Sequence, residues 1–191
     1  MRITGGEWGG RRIEVPARGV RPTQDRVRQA LFNVLAARIP GCRFLDLFAG
    51  SGAVGLEALS RGAQRVAWVE RDPGAARVLR ANLAALCPDR GMPEVEVVIG
   101  DAPGYLRAGA GGPHDIIFAD PPYERGATVS WPALIFSALG RPERCLAPGG
   151  LLILEDAGDQ APVLPADAAW CLKADKRYGG TRLRFWEYRV G

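Results

Sequence analysis

Short apolar runs alternate with helix-like stretches between residues 43 and 155, and this alternation limits the folds open to the chain. The runs that predict strands are 44–48, 65–70, 95–99, 115–119 and 151–155, and the stretches that predict helices are 53–61, 73–86, 102–108 and 131–146. Strands that are apolar on both faces and separated by helices are typical of a parallel sheet covered on both sides. With a C-terminal hairpin from 170–174 and 182–189, we predict a doubly wound α/β domain with a mostly parallel seven-stranded sheet.

The composition excludes disordered and membrane-spanning classes. The chain has 191 residues, of which 47% are hydrophobic and 24% are charged, as in ordinary globular domains. Its apolar runs are far shorter than the roughly 18 residues of a membrane span. The first six residues contain no apolar stretch of the kind found in signal peptides. We therefore expect a cytoplasmic protein with no membrane partner.

Positive charge is concentrated at the beginning of the chain. Residues 1–43 contain nine arginines against three acidic residues, whereas the remainder is close to neutral. Such a basic segment favours a polyanionic partner, although arginine also outnumbers lysine 23 to 2 overall. Glycine pairs and prolines in residues 1–22 predict a basic N-terminal arm or hairpin, followed by the main domain over 23–191.

A helix is predicted to follow this arm, with Thr23 as its N-cap. Its apolar face would comprise Val27, Ala30, Leu31, Val34 and Leu35. Arg26 and Arg28 would then lie on the opposite face, where they are available to a polyanion.

A glycine-rich segment runs from the first predicted strand into the next helix. Gly50, Gly52 and Gly55 fit G-x-G-x-x-G, in which the backbone turns sharply and approaches a nucleotide cofactor closely. Asp46, four residues before Gly50, would repel a pyrophosphate and favour a cationic ligand. It therefore favours S-adenosylmethionine over NAD. Glu70 ends the second strand, where its carboxylate can accept hydrogen bonds from both ribose hydroxyls of either cofactor.

Asp101 follows the third predicted strand. Its carboxylate could accept a hydrogen bond from an adenine amino group, or it could cap the helix that comes next. The two roles are compatible, and the sequence leaves both open.

Metal and hydrolase chemistry are not predicted. The four cysteines lie 45, 58 and 26 positions apart, so none has the two-residue spacing of zinc or redox motifs. His114 is the single histidine, and no Gly-x-Ser-x-Gly elbow is present, which argues against a Ser-His-Asp hydrolase.

The most specific motif is Asp120-Pro121-Pro122-Tyr123, directly after a buried strand. Ligands bind at the carboxyl ends of strands in open α/β sheets, so the motif should emerge beside the glycine-rich segment. Asp120 and the Pro121 carbonyl could accept the two N–H bonds of a nucleobase amine and orient its lone pair. Tyr123 could stack on the base, a contact worth roughly 1–3 kcal/mol.

These motifs resemble class I S-adenosylmethionine-dependent methyltransferases of the amino-group type. Residues 21–33, 56–63 and 176–181 narrow the resemblance to bacterial 16S ribosomal RNA guanine-N2 methyltransferases of the RsmD type, over nearly the whole chain. The resemblance implies transfer of one methyl group to a guanine amine of 16S rRNA, within the small ribosomal subunit or its assembly intermediate. It also implies monomeric action and no metal.

Carried over to this sequence, the resemblance and the motifs together define three sets of site residues. The cofactor set is Asp46, Phe48, Gly50, Ser51, Gly52, Glu70, Arg71, Asp101 and Ala102. The catalytic set is Asp120, Pro121, Pro122 and Tyr123. The set expected to contact RNA is Arg2, Arg11, Arg12, Arg21, Thr23, Arg26 and Arg28.

Three alternatives remain at this point. Adenine N6 of DNA or RNA, or a protein glutamine, are amines that the same tetrapeptide chemistry could serve. An NAD-dependent oxidoreductase shares the glycine spacing, but Asp46 and the motif at residues 120–123 argue against it. A non-catalytic RNA-binding module would not need an intact reactive motif.

Overall fold

The computed structural model describes residues 1–16, 25–87, 94–109, 111–122, 130–156, 164 and 169–189. The helices are α1 (Asp25–Val34), α2 (Ala53–Ser60), α3 (Pro73–Leu86), α4 (Ala102–Ala108) and α5 (Trp131–Ala138), with a 3-10 turn at Pro142–Arg144. The strands are β1 (Arg43–Leu47), β2 (Arg65–Glu70), β3 (Glu94–Ile99), β4 (His114–Ala119), β5 (Leu146–Asp156), β6 (Trp170–Tyr178) and β7 (Thr181–Tyr188). Within these ranges, no helix combines the length and hydropathy needed to cross a membrane.

The strands form one seven-stranded sheet in the order β3-β2-β1-β4-β5-β7-β6. Strands β1 to β5 pair in parallel, and β7 pairs antiparallel with both β5 and β6. The strand order reverses between β1 and β4, and ligands of doubly wound sheets bind at that point. The predicted fold class is confirmed.

Several element boundaries differ from the prediction, and β6, for example, extends to Tyr178 instead of ending at residue 174. The helix expected over 131–146 ends at Ala138, because Gly140 and Pro142 interrupt it. Strand β5 begins at Leu146, five residues before the expected start, and its register with β4 shifts between His114 and Ile116. Its first residues include Pro148 and two glycines, which are disfavoured inside strands, so the sequence did not indicate where β5 begins.

The core lies on both faces of the sheet. One buried cluster contains Phe44 and Trp68 and packs beneath α1, α2 and α3. The other contains Leu45 and Leu47 and packs beneath α4 and α5. Because successive side chains of a strand point to opposite faces, β1 contributes to both clusters.

The described part of the predicted N-terminal arm, residues 1–16, folds back on itself. Arg2 and Arg12 form an antiparallel bridge, and Ile3, Trp8 and Ile13 are buried in the same cluster as α1 and α2. The segment is therefore a hairpin packed on the main domain. The predicted boundary between residues 22 and 23 lies outside the described residues.

The buried face of α1 is rotated from the predicted one. Val27, Leu31 and Leu35 are buried as expected, but Val34 is 42% exposed and Arg28 is fully buried. The prediction that Arg28 lies on the open face of the helix is wrong. Its buried carboxylate partner, described below, explains why a charged residue occupies this face.

Candidate active site

The turn after β1 holds three residues in left-handed backbone conformation. Phe48 has a φ of 64°, Gly50 of 54° and Gly52 of 80°. A residue other than glycine in this region costs of order 1–3 kcal/mol, and such strain is concentrated at functional sites. The Phe48 ring packs edge-on against Trp131 at the start of α5, with 5.1 Å between centroids, which holds the turn in place.

The glycines also allow α2 to lie close to the sheet. A Cβ atom on Gly55 would lie 2.2 Å from Nε1 of Trp68, and one on Gly52 would lie 2.6 Å from Cγ of Leu79. Nε1 of Trp68 donates to the Gly52 carbonyl at 3.4 Å. The spacing thus serves helix packing as well as the turn. Ser51, between the glycines, is buried, and its carbonyl accepts a hydrogen bond from Asn82 Nδ2 at 3.1 Å.

Asp46 is buried under the glycine turn. Its Oδ2 accepts a hydrogen bond from the Gly55 amide at 3.0 Å. The pKa of this carboxyl is raised to about 8, mainly by burial and also by the nearby carboxylates Asp120 and Glu70, while the hydrogen bond from the Gly55 amide lowers it. The ends of β1, β2 and β4 therefore bring three acidic side chains to one edge of the sheet.

Glu70 connects this turn to the next helix. Its Oε2 accepts from the Gly50 amide at 2.7 Å, and its Oε1 accepts from the Asp72 amide at 2.8 Å. Asp72 in turn caps α3 by accepting from the Gly74 amide at 2.8 Å. Glu70 therefore stabilises the glycine turn, and its predicted ribose contact stays a prediction. Arg71 beside it is exposed.

Asp101 is the N-cap of α4. Its Oδ2 accepts from the Gly104 amide at 2.7 Å, while Ala102 is buried at the first helical position. The capping role left open by the sequence is present. Its carboxylate remains exposed at the carboxyl end of β3, and its adenine contact stays a prediction.

The reactive motif begins where β4 ends. Asp120 is half-buried, Pro121 is buried and Pro122 is exposed, while Tyr123 lies outside the described residues. Asp120 acts electrostatically on Asp46, so the motif and the glycine turn lie at the same edge. Two prolines supply no N–H donors, so the backbone here offers acceptors to a ligand.

The residues predicted to contact RNA differ in their surroundings. Arg2, Arg12 and Arg26 are exposed, and so is Arg11, whose Nη2 donates to the Ala85 carbonyl near the end of α3 at 2.8 Å. Two others, Arg21 and Thr23, lie outside the described residues.

Arg28 is a correction to that set. Its side chain has no exposed surface, and its guanidinium donates to Glu57 Oε2 at 3.2 Å, to Asp25 Oδ1 at 3.0 Å and to the Arg2 carbonyl. A guanidinium enclosed in this way cannot also hold a phosphate. Arg28 instead fastens α1 and the N-terminal hairpin to the domain.

Glu57 is the important residue that the sequence analysis missed. It is fully buried on α2 and also accepts from Arg61 at 2.8 Å and from the backbone amide and hydroxyl of Thr4, each at 2.7 Å. One signal was available, because Glu57 is the single charged residue of an otherwise apolar helix. Buried charges need partners, so its position predicts an ion pair without identifying the partner.

The donor set at the carboxyl edge fits S-adenosylmethionine. The carboxylates Glu70 and Asp120 act on Asp46 at this edge, and such surroundings favour a ligand carrying sulfonium and ammonium charges. Glu70 and Asp101 are carboxylates at the strand ends where an adenosine would lie. In the described ranges, no group of three or more His, Cys, Asp or Glu side chains is arranged to hold a metal ion.

Comparison with known proteins gives consistent matches. The family model described as "Conserved hypothetical protein 95" matches residues 1–187. An Escherichia coli (strain K12) protein, "Ribosomal RNA small subunit methyltransferase D", is 39% identical over 189 residues, covering 98% of this chain and 89% of that protein. The solved structure of yhhF from Escherichia coli matches with a TM-score of 0.83 at 39% identity, covering 100% of this chain and 99% of the other. SMU.776, solved in complex with SAH, shares the fold with a TM-score of 0.62 at 18% identity, covering 88% and 50%.

Proposed function

We propose that this chain methylates the exocyclic N2 amine of one guanine in 16S rRNA. The premise is that the chain belongs to the RsmD family, which the Conserved hypothetical protein 95 model describes. The family membership supports methyl transfer to ribosomal RNA with S-adenosylmethionine as the cofactor. The guanine, its N2 atom and the 16S molecule are the finer part of the proposal.

The observation that carries the proposal is the position of Asp120. It follows β4 immediately, and its charge acts on Asp46 beneath the glycine turn. An acceptor for amine N–H bonds therefore lies beside the predicted cofactor turn. This is the arrangement that amino-group methylation needs, because the amine nitrogen must face the methyl donor.

The chemistry asks for orientation more than for a strong base. The lone pair of a guanine amine is delocalised into the ring, so the free amine is a poor nucleophile. S-Adenosylmethionine supplies an activated methyl group on a sulfonium. Asp120 and the Pro121 carbonyl accept the two N–H bonds, which directs the lone pair, and Asp120 can take up the amine proton late in the reaction. Tyr123 is proposed to stack on the base.

The base must leave its stack to reach Asp120, because the amine of a paired and stacked base cannot approach the methyl group. The exposed arginines Arg2, Arg11, Arg12 and Arg26, together with Arg21 and Thr23, are proposed to hold the surrounding phosphates. The proposed partner is 16S rRNA within the small ribosomal subunit or its assembly intermediate, and the protein is proposed to act as a monomer.

The test is transfer of labelled methyl from S-adenosylmethionine to purified small subunits that lack the modification. Naked 16S RNA, DNA and bulk protein serve as parallel acceptors, and digested nucleosides are identified by mass spectrometry. The proposal predicts label in N2-methylguanosine from subunits or their assembly intermediates. Label in N6-methyladenine or in protein glutamine would contradict the guanine assignment.

A further inference from the structure

The turn between β6 and β7, residues 176–181, lies at the same edge of the sheet as Asp120. Ala119 at the end of β4 is in register with Leu154 of β5, which runs parallel to it. Strand β7 runs antiparallel to β5, so its first residues pair with the last residues of β5. The turn that precedes β7 is therefore at the carboxyl edge, where the predicted active site lies.

The lateral distance suits an extended nucleic acid strand. Strand β6 is the third strand beyond β4 in the order β4-β5-β7-β6. Neighbouring strands lie about 4.8 Å apart, so the turn stands about 14 Å to one side of the end of β4. A base held at Asp120 would leave the adjoining nucleotides of its strand within this range.

Buried ion pairs hold the turn in position. Arg184 of β7 is buried and pairs with Asp156 at the end of β5 and with Asp175 of β6. Arg182 also donates to Asp175, at 3.0 Å. The two carboxylates and the two arginines share one face of the sheet, and their ion pairs connect the hairpin to β5.

Two basic side chains flank the turn on opposite faces of the sheet, because Lys176 and Arg177 are consecutive residues of β6. Lys176 and Arg177 are exposed, and Nε of Arg177 donates to the Gly179 carbonyl at 3.1 Å. A Cβ atom added to Gly179 or Gly180 would meet no atom of the described residues within 4 Å, so the tip of the turn is uncrowded. Both exposed cations therefore lie beside the turn, at the carboxyl edge of the sheet.

We propose that this turn, with Lys176 and Arg177, binds RNA phosphates next to the target nucleotide, on the side of the site away from the N-terminal hairpin. The inference rests on the proposed function and deepens it, since it adds a second contact surface for the same RNA. The proposed contacts are with the backbone of the RNA, because lysine and arginine side chains exposed on a turn are common partners of phosphates.

The test compares Lys176→Ala/Arg177→Ala with the matched control Lys173→Ala/Arg189→Ala. The control removes the same charge from exposed residues that contact Glu187, nearer the other end of the hairpin. Binding to small subunits is measured by filter retention at several salt concentrations, and methyl transfer is measured on the same preparations. Lys176→Arg/Arg177→Lys, which keeps the charge, is the rescue variant.

The proposal predicts about a tenfold weaker affinity and a correspondingly higher KM for the turn variant, with kcat unchanged. The slope of log affinity against log salt concentration should become shallower by roughly one to two, because one or two phosphate contacts are lost. Cofactor affinity should stay the same, and the rescue variant should bind like the wild type. A turn variant that binds like the matched control would overturn this inference. If the wild-type protein bound subunits without methylating guanine, the proposed function would be overturned instead. The two outcomes can be distinguished because subunit binding and methyl transfer are measured separately.

Discussion

Two buried carboxylates of this protein, Glu57 and Asp46, lie in opposite electrostatic surroundings. Glu57 is enclosed by cationic partners, with Arg28 at 3.2 Å and Arg61 at 2.8 Å. This cluster fastens the N-terminal hairpin and α1 to α2. Every charge in it faces an opposite charge, as a structural ion pair requires.

Among the described residues, no cationic side chain pairs with Asp46. It accepts one backbone hydrogen bond, from Gly55, while its electrostatic neighbours Asp120 and Glu70 are also acids. Like charges near a buried carboxylate raise its pKa and store repulsion that a cationic ligand can relieve. Both carboxylates are buried, and they differ in the sign of the charges beside them. From this difference we propose that Glu57 has a structural role and that Asp46 serves the cofactor.

The largest expected effect is on stability at the matched cluster. Glu57→Ala leaves the Arg28 guanidinium buried without its carboxylate, so the free energy of unfolding should fall by about 3–5 kcal/mol. Urea unfolding followed by circular dichroism measures it. Glu57→Gln retains hydrogen-bond acceptors and should lose less. Glu96→Ala, which removes an exposed partner of Arg65, is the control and should cost at most about 1 kcal/mol. If Glu57→Ala lowered the free energy of unfolding no more than the control does, the structural role of Glu57 would be contradicted.

The unmatched cluster should respond in the reverse way. Asp46→Asn keeps an acceptor for the Gly55 amide but removes a buried like charge, so stability at pH 8 should be unchanged or higher. S-Adenosylmethionine affinity should fall about 10- to 100-fold, as expected for loss of a charge-assisted contact of roughly 1.5–3 kcal/mol. Calorimetric titration and urea unfolding on the same sample check both parts. Unchanged affinity would remove Asp46 from the cofactor set.

The raised pKa of Asp46 gives a pH signature. In the folded protein its carboxyl titrates near pH 8, well above its usual 3.8, so it is mostly protonated at pH 7. The folded state therefore holds the extra proton between these values, and this group's contribution to stability falls as pH rises through that window. A cationic ligand favours the ionised form, so cofactor affinity should rise by up to about tenfold per pH unit below pH 8. Proton release, measured by calorimetry in buffers of different ionisation enthalpy, should disappear in Asp46→Asn.

The smallest expected effect on stability distinguishes Arg12 from Arg28, which were both predicted to contact RNA. Arg12 is exposed on the hairpin, whereas Arg28 is enclosed. Arg12→Ala should change the free energy of unfolding by no more than about 0.5 kcal/mol, yet raise the KM for small subunits a few-fold and lower the salt slope by about one. Arg28→Ala should mainly destabilise the protein. Equal unfolding losses in the two variants would contradict the distinction.

Local chemistry made much of the fold predictable. Strand β2 and helix α3 have the predicted boundaries. The start of α3 was predictable because Asp72 and Pro73 form a helix start signal. The rule that ligands bind at the carboxyl ends of parallel strands also predicted that Asp46, Glu70 and Asp120 converge.

The partner of Glu57 could not be predicted in this way. Arg28 is 29 positions away in the sequence, and its burial depends on how the hairpin, α1 and α2 pack together. Apolar periodicity therefore assigned the wrong face to Arg28 and Val34. The sequence did predict that Asp120 lies beside the glycine turn. The effect of Asp120 and Glu70 on the pKa of Asp46 was not predictable, because it depends on distances that only the folded chain sets.

The most direct test of the account is the turnover of Asp120→Ala on small subunits, measured beside its cofactor affinity and its unfolding. Asp120 is proposed to orient the amine, so kcat should fall by about 10²- to 10⁴-fold, while S-adenosylmethionine affinity stays within about threefold and stability is retained. Asp120→Asn, which keeps one acceptor, should retain more activity than the alanine variant. Near-normal turnover of Asp120→Ala would contradict the claim that this edge of the sheet performs the chemistry.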